Sequence, residues 1–166
     1  MDNPTPKGNL KDLLEKISNI RIAILTTVDE NGVLRSRPMA SIDIDADNNI
    51  WFFTKEDSEK IEEVNHYAQV SLAYADIDNQ TYVSISGTGS ISRDKEKMQE
   101  LWNPMVKAWF PKGLEEPNIA LLQVKIHEAE YWDANASRMV RLYHLAKALL
   151  TGERYDGGEH KQVSGL

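Results

Sequence analysis

The sequence predicts a mainly β domain with flanking helices, built as an antiparallel barrel that is closed or nearly so. Three observations predict it. Six β-rich runs recur along the 166 residues, tight turn signals join most of them, and closing such a sheet on itself removes exposed edges. A two-layer α+β sheet accounts for the same patterning, and hydrophobic periodicity alone leaves both architectures open.

Each element has its own signal. Leu10, Leu13, Leu14 and Ile17 fall at helical spacing, so residues 9–18 form a short amphipathic helix that lids one end of the core. RIAILTTV and VLRSRPMASIDID flank Asn31-Gly32, a hairpin turn, and DADNN leads into a third strand, IWFFT. A helix over about 57–66 precedes a second hairpin, QVSLAYA and TYVSISGTGSIS around DIDNQ. Gly87 and Gly89 mark a bulge, a bend or a close approach in that strand. Residues 94–103 read as helix, WFPKG as a loop, IALLQVKIHEAEYW as the sixth strand. A last helix over 137–150 carries Met139, Leu142, Leu145, Ala146 and Leu149 on one face, and a mobile tail follows. Residues 1–133 thus form the barrel domain, and 134–166 a helix and tail on the same domain.

Composition narrows the function. With 41% hydrophobic and 27% charged residues this is an ordinary globular chain, long enough to bury roughly 70% of its unfolded surface. The absence of cysteine excludes disulfides, thiolate metal sites and thiol nucleophiles. A net charge of −7 opposes binding to nucleic acid, and no basic patch is interleaved with aromatics. The start MDNPTPKGNLKDLLEK lacks the pattern of a signal peptide and no run reaches membrane-span length, so a cytoplasmic protein is expected. The histidines at 66, 127, 144 and 160 have no metal-ligand spacing, so no metal site is expected. No Gly-x-Ser-x-Gly turn is present, and no catalytic acid, base or nucleophile stands out.

Two segments concentrate the remaining chemistry. Arg35 and Arg37 are two apart, so on a strand they leave from one face. Pro38 donates no ladder hydrogen bond and implies an edge or a break in the sheet. A short DADNN turn sets Ser41 near Thr54 and brings Arg37 towards Ser58 within a slip of one or two residues. The plain alternative for the arginines is a surface strand pairing with nearby Asp and Glu. For Thr54-x-x-Asp57 it is a capping box. Residues 55–63 carry two lysines against five carboxylates, net −3. An anion there needs the helix N-terminus and cations from a neighbouring strand.

SRPM, WFFT, Ser58-x-Lys60, YVSISG, LWNPMVKAWFP and AEYWD, in this order, resemble the general stress protein 26 group of the pyridoxamine 5'-phosphate oxidase-like, FMN-binding split-barrel superfamily. The resemblance covers about residues 10–133. It implies a six-stranded split barrel that dimerises and binds FMN in clefts between subunits. It implies that Arg37, Pro38 and Met39 line the flavin ring and its phosphate arm; the shared strand face of Arg35 and Arg37 adds both arginines to the expected phosphate cradle. Thr54, Ser58 and Lys60 hold the phosphate, and Phe53 lies near the ribityl chain. Trp109 and Trp132 are further candidates for the ring environment, supplied by the same or by the second subunit; core or interface packing is the plain reading of all four tryptophans. Two functions follow: a flavin-dependent oxidoreductase acting on a small acceptor, or a non-catalytic flavin-binding stress protein. Haem and deazaflavin F420 are lesser alternatives.

Overall fold

The computed structural model describes residues 9–133, 145, 147, 149–152 and 159–164. Leu10–Ser18 form α1, which begins where the Asn9 side chain accepts a hydrogen bond from the Asp12 amide at 2.9 Å. Its buried Leu13 and Ile17 join the main core, as the amphipathic pattern requires. The antiparallel pair β1 (Ile22–Val28) and β2 (Leu34–Ala40) turns through Gly32, whose φ of 78° suits a residue without a Cβ. The Asp29 carboxylate holds that turn by accepting from the Asn31 and Val33 amides, each at 2.9 Å. Ala23, Leu25 and Thr27 of β1 point inward, while Ile22 and Ile24 stay on the outer face.

The stretch expected to be one strand, VLRSRPMASIDID, is two. After β2 the chain leaves its partner β1 at Ser41 and Ile42, and β3 (Asp43–Ile44) pairs instead with β4 (Asn49–Lys55). The turn between them is held by Asp45, which accepts from the Asp47 and Asn49 amides and, at 2.8 Å, from the Trp51 indole nitrogen. Six of the seven β4 residues are buried because both faces are covered. Ile50 and Phe52 enter the barrel core. Trp51 and Phe53 face a second cluster with Met98, Leu101, Val106 and Phe110. Full burial of a side chain such as Phe52 contributes about 1.5–3 kcal/mol.

The chain continues through α2 (Glu59–His66), β5 (Gln69–Asp76), β6 (Thr81–Ser92) and α3 (Lys95–Leu101). Two single 3-10 turns, Val106–Ala108 and Gly113–Glu115, follow before β7 (Ile119–Asp133). The β6–β7 register shifts between Ser86 and Gly87. A Cβ at Gly87 would lie 2.2 Å from the Lys125 carbonyl oxygen, so the bulge depends on glycine at that close approach.

The tail expected to be mobile contains an eighth strand, β8 (Glu159–Ser164), antiparallel to β7. The reason is geometric. β4 covers β7 only from Ile119 to Lys125, so the edge from Glu128 to Asp133 is left unpaired until β8 takes it. The single buried apolar residue there, Val163, explains why the sequence pattern is faint. The expected 137–150 helix lies mostly outside the described residues; 145, 147 and 149–151 are helical. Among the described residues no helix is long and apolar enough to cross a membrane.

Strand order is β2-β1-β5-β6-β7-β4-β3, with β8 on β7. The two ends of this path, β2 and β3, are consecutive in sequence, so the sheet curls back on itself. Among the described residues no ladder joins β2 to β4, and the curled sheet stays split along that seam. The eight described strands thus form a split barrel with peripheral helices, in place of the expected six.

Candidate functional site

The seam between β2 and β4 opens into a cleft of about 630 Å³, well inside the range of about 300–1,000 Å³ common for small-molecule sites. Pro38, Met39 and Ala40 line it from β2, Phe53 and Thr54 from β4. Val106, Trp109 and Phe110 line it from the segment after α3. Pro38 occupies an edge strand, as its missing amide hydrogen requires. Phe53 is held edge-on against Trp102, with centroids 5.6 Å apart, and tilted against Phe110 at 6.2 Å. Trp109 is 56% exposed at the rim.

One end of the cleft is polar. Thr54, 3% exposed, ends the buried run of β4, and its hydroxyl lies 3.5 Å from that of Ser58. Ser58 stands at the N-cap of α2, yet its side chain caps no amide there; its hydroxyl donates to the Lys55 carbonyl at 2.6 Å. The capping box at Thr54 therefore does not form: α2 starts at Glu59, beyond the reach that pattern assumes. Lys60, half-buried one residue into the helix, also lines this end. Burial holds its ammonium below the ordinary lysine value; the nearby Arg37 charge adds to this, and Glu63 and Asp57 oppose it.

The five local carboxylates do not act together. Glu56 pairs with Arg93 and Glu63 with Arg37. Glu59 and Glu62 line a separate recess with Asp29 and Arg35. Only Asp57 of the five lines the cleft, 3.4 Å from the Asn118 amide nitrogen. The net −3 of the segment is thus dispersed over several surfaces.

Both arginines pair with carboxylates. Arg35 pairs with Asp29 at 3.1 Å, away from the cleft. Arg37 donates to Glu63 at 2.6 Å and to the Thr27 hydroxyl, which itself donates to Glu63. Strand alternation separates Arg37 from its neighbour: Pro38 pairs with outward Ile24, Arg37 with inward Leu25. Trp132 stands at the far end of β7 from Leu121, the partner of Phe53, and stacks on His160 with centroids 4.7 Å apart. The structure therefore brings together Pro38, Met39, Phe53, Thr54, Ser58, Lys60 and Trp109 in the cleft lining; Arg37 lies outside that lining but near Lys60, and Arg35 and Trp132 lie elsewhere.

Sequence reading missed Ile42, Val106 and Phe110 as cleft walls, and Glu63 and Thr27 as the partners of Arg37. Phe110 was signalled by its place in WFPKG. Nothing in a linear pattern marks Thr27. Among the described residues, no group of three or more His, Asp or Glu is gathered to hold a metal ion.

Comparisons with known proteins agree with this architecture. The family model described as pyridoxamine 5'-phosphate oxidase like matches residues 8–156. A candidate general stress protein 26 from Jannaschia sp. is 27% identical, with a TM-score of 0.75 over 94% of this chain and 100% of that one. The general stress FMN/FAD binding protein of Xanthomonas citri is 31% identical, with a TM-score of 0.66 over 76% of this chain and 89% of that one. Protein bli-3 of Neurospora crassa is 24% identical over 93% of this chain and 79% of its own length.

Proposed function

We propose that this chain, which belongs to the pyridoxamine 5'-phosphate oxidase-like family, binds FMN in the seam between β2 and β4. The observation that carries the reading is the end of the cleft at α2, where Thr54, Ser58 and Lys60 meet a helix N-terminus that its own N-cap side chain leaves open. Hydroxyls, an ammonium and free helix amides are the donor set a phosphomonoester needs. The apolar remainder of the cleft, walled by Pro38, Met39, Phe53 and Phe110, suits a flat aromatic ring. Similarity to the general stress FMN/FAD binding protein of Xanthomonas citri supports a flavin.

When bound, FMN supplies hydride or electron transfer. The chain's part is to anchor the phosphate through Lys60, Thr54 and Ser58, and to exclude water from one ring face through Pro38 and Met39. We read the protein as a flavin-dependent oxidoreductase acting on a small acceptor. A second reading, a flavin-binding protein without turnover, is favoured by one observation: Lys55, Asp57 and Lys60, the ionisable groups of the cleft, all lie at its phosphate end. Stopped-flow reoxidation of the reduced protein with quinone and nitro acceptors separates the two, since a store accelerates none of them over free FMN.

The binding reading is tested by fluorescence titration with FMN and with riboflavin, which has the same ring and no phosphate. Lys60→Ala is expected to weaken FMN by about tenfold to a hundredfold, the equivalent of about 1.5–3 kcal/mol for a charge-assisted hydrogen bond. Riboflavin affinity should stay within about twofold. Equal loss for both ligands, or for neither, removes the phosphate from this end of the cleft.

We further propose a homodimer formed on the outer sheet face. Ile22 and Ile24 of β1, Tyr82 of β6 and Trp132 of β7 are exposed large side chains on that face. Ile22 also lines the cleft, so the apolar face runs continuously into it. A second copy seated there covers the face and can bring its own Trp132 to the ring, which the same chain's Trp132 cannot reach.

A further inference from the structure

β7 and β8 are joined by residues 134–158, although Asp133 and Glu159 at the two strand ends are already ladder partners. An antiparallel connection of this kind closes with about 2–5 residues. The rest of the segment is not needed to build the sheet, and its composition sets it apart. Residues 134–152 contain no Asp or Glu, while all 26 acidic residues of the chain lie outside them. Arg138, Arg141 and Lys147 give this stretch a charge of +3, which leaves −10 for the remainder of a chain that totals −7.

The segment is helical at 145, 147 and 149–151, and Gly152, with a φ of 70°, follows where the helix ends. Leu145, Leu149 and Leu150 are 46%, 78% and 87% exposed, and none of them belongs to either buried cluster of the described residues. At 3.6 residues per turn these leucines span about 140° of the helix surface, and Lys147 falls outside that arc. The sequence spacing of Met139, Leu142 and Ala146 continues the same arc. So wide an apolar face exceeds the narrow seam of a coiled coil and suits a flat boundary. With cations and no carboxylate around it, the surface that complements it is apolar beneath an anionic layer.

We propose that this helix lies flat on an anionic lipid surface, its leucines entering the boundary between headgroups and acyl chains and its cations meeting the lipid phosphates. The helix lies on the bilayer and does not span it, and β7 and β8 tether its two ends to the barrel. Screening over about 10 Å confines the membrane's attraction to charges at its surface, so the acidic remainder of the molecule does not cancel it.

The test mixes the full-length protein with vesicles of phosphatidylcholine, either alone or with about one third phosphatidylglycerol, and reads the bound fraction by flotation. Wild type is expected to bind the anionic vesicles at least about tenfold more tightly than the neutral ones at low salt, and to lose most of that preference in about 0.5 M NaCl. Leu149→Ser combined with Leu150→Ser should weaken binding at least about tenfold, because two leucines no longer enter the apolar layer. Lys147→Gln should weaken it about fivefold on anionic vesicles alone. Thermal unfolding should be unchanged in both variants, since all three side chains are exposed. Failure of wild type to bind anionic vesicles, equal binding to both vesicle types, or a leucine double variant that binds like wild type overturns the assignment. A double variant with a lower melting temperature shows that the leucines pack within the chain, and one with a changed sedimentation coefficient shows that they meet a second copy; either overturns it as well.

Discussion

Lys60 is the residue on which the phosphate reading turns, and its ionisation gives a second handle on it. Burial, and then the neighbouring Arg37 charge, hold its ammonium below the ordinary lysine value of 10.5. A phosphate is bound by the protonated form, so FMN affinity is full below the lowered value and is lost as pH rises through it. The loss should therefore begin earlier than for an unperturbed lysine. Riboflavin affinity should not follow. Lys60→Arg should hold the FMN preference flat through the same range, because a guanidinium does not deprotonate there. Parallel loss of both flavins would trace the pH effect to the ring or to the fold.

At the level of the element, the β3–β4 turn determines whether the seam opens where it does. Asp45 ties Asp47, Asn49 and the Trp51 indole into one turn, and Trp51 in turn packs in the cluster that backs Phe53. Burial raises the Asp45 pKa, but the hydrogen bonds from Trp51, Asn49 and Asp47 outweigh it and hold the group below the ordinary 3.8. Its contribution to stability is complete above 3.8 and disappears as pH falls through the lowered folded value. Asp45→Ala should destabilise by about 1–3 kcal/mol in urea denaturation, since it leaves the buried Trp51 N–H without a partner. Its stability curve should also lose part of the acid dependence seen in wild type. A change within a few tenths of a kcal/mol would mean that solvent replaces Asp45 at the indole.

For the whole molecule the prediction concerns assembly. Ile24 lies on the outer face of β1, paired with Pro38 and Ala73, and is not part of the cleft. Ile24→Glu should convert a dimer into a monomer in sedimentation velocity while leaving the far-UV circular dichroism intact. If a partner subunit completes the site, the monomer should bind FMN at least about tenfold more weakly. A monomeric wild type that holds FMN tightly would show that one chain suffices.

How much was legible depended on how local the cause was. The three hairpin turns, the α1 face and the doubly buried IWFFT run were readable because turn chemistry and periodicity act over a few residues. So were Thr54, Ser58 and Lys60, which one strand end and one helix start bring together. β8 was not, because its cause is an unpaired stretch of β7 about thirty residues away. The partners of Arg37 were missed for the same reason: Glu63 and Thr27 meet it only once α2 packs over β1 and β2 pairs with that strand.

The charge of residues 55–63 shows where the division falls. By itself the sequence determined six β-rich runs, the turns between them and the polar end of IWFFT, and it restricted Pro38 to an edge or a break, since each follows from backbone chemistry within a short span. It also determined a local net charge of −3, which argued against an anion. Only the tertiary structure decided which of those carboxylates matter, by sending Glu56 to Arg93, Glu63 to Arg37, and Glu59 and Glu62 to another face. Electrostatic energy depends on distance and burial in three dimensions, and neither is a property of spacing along the chain.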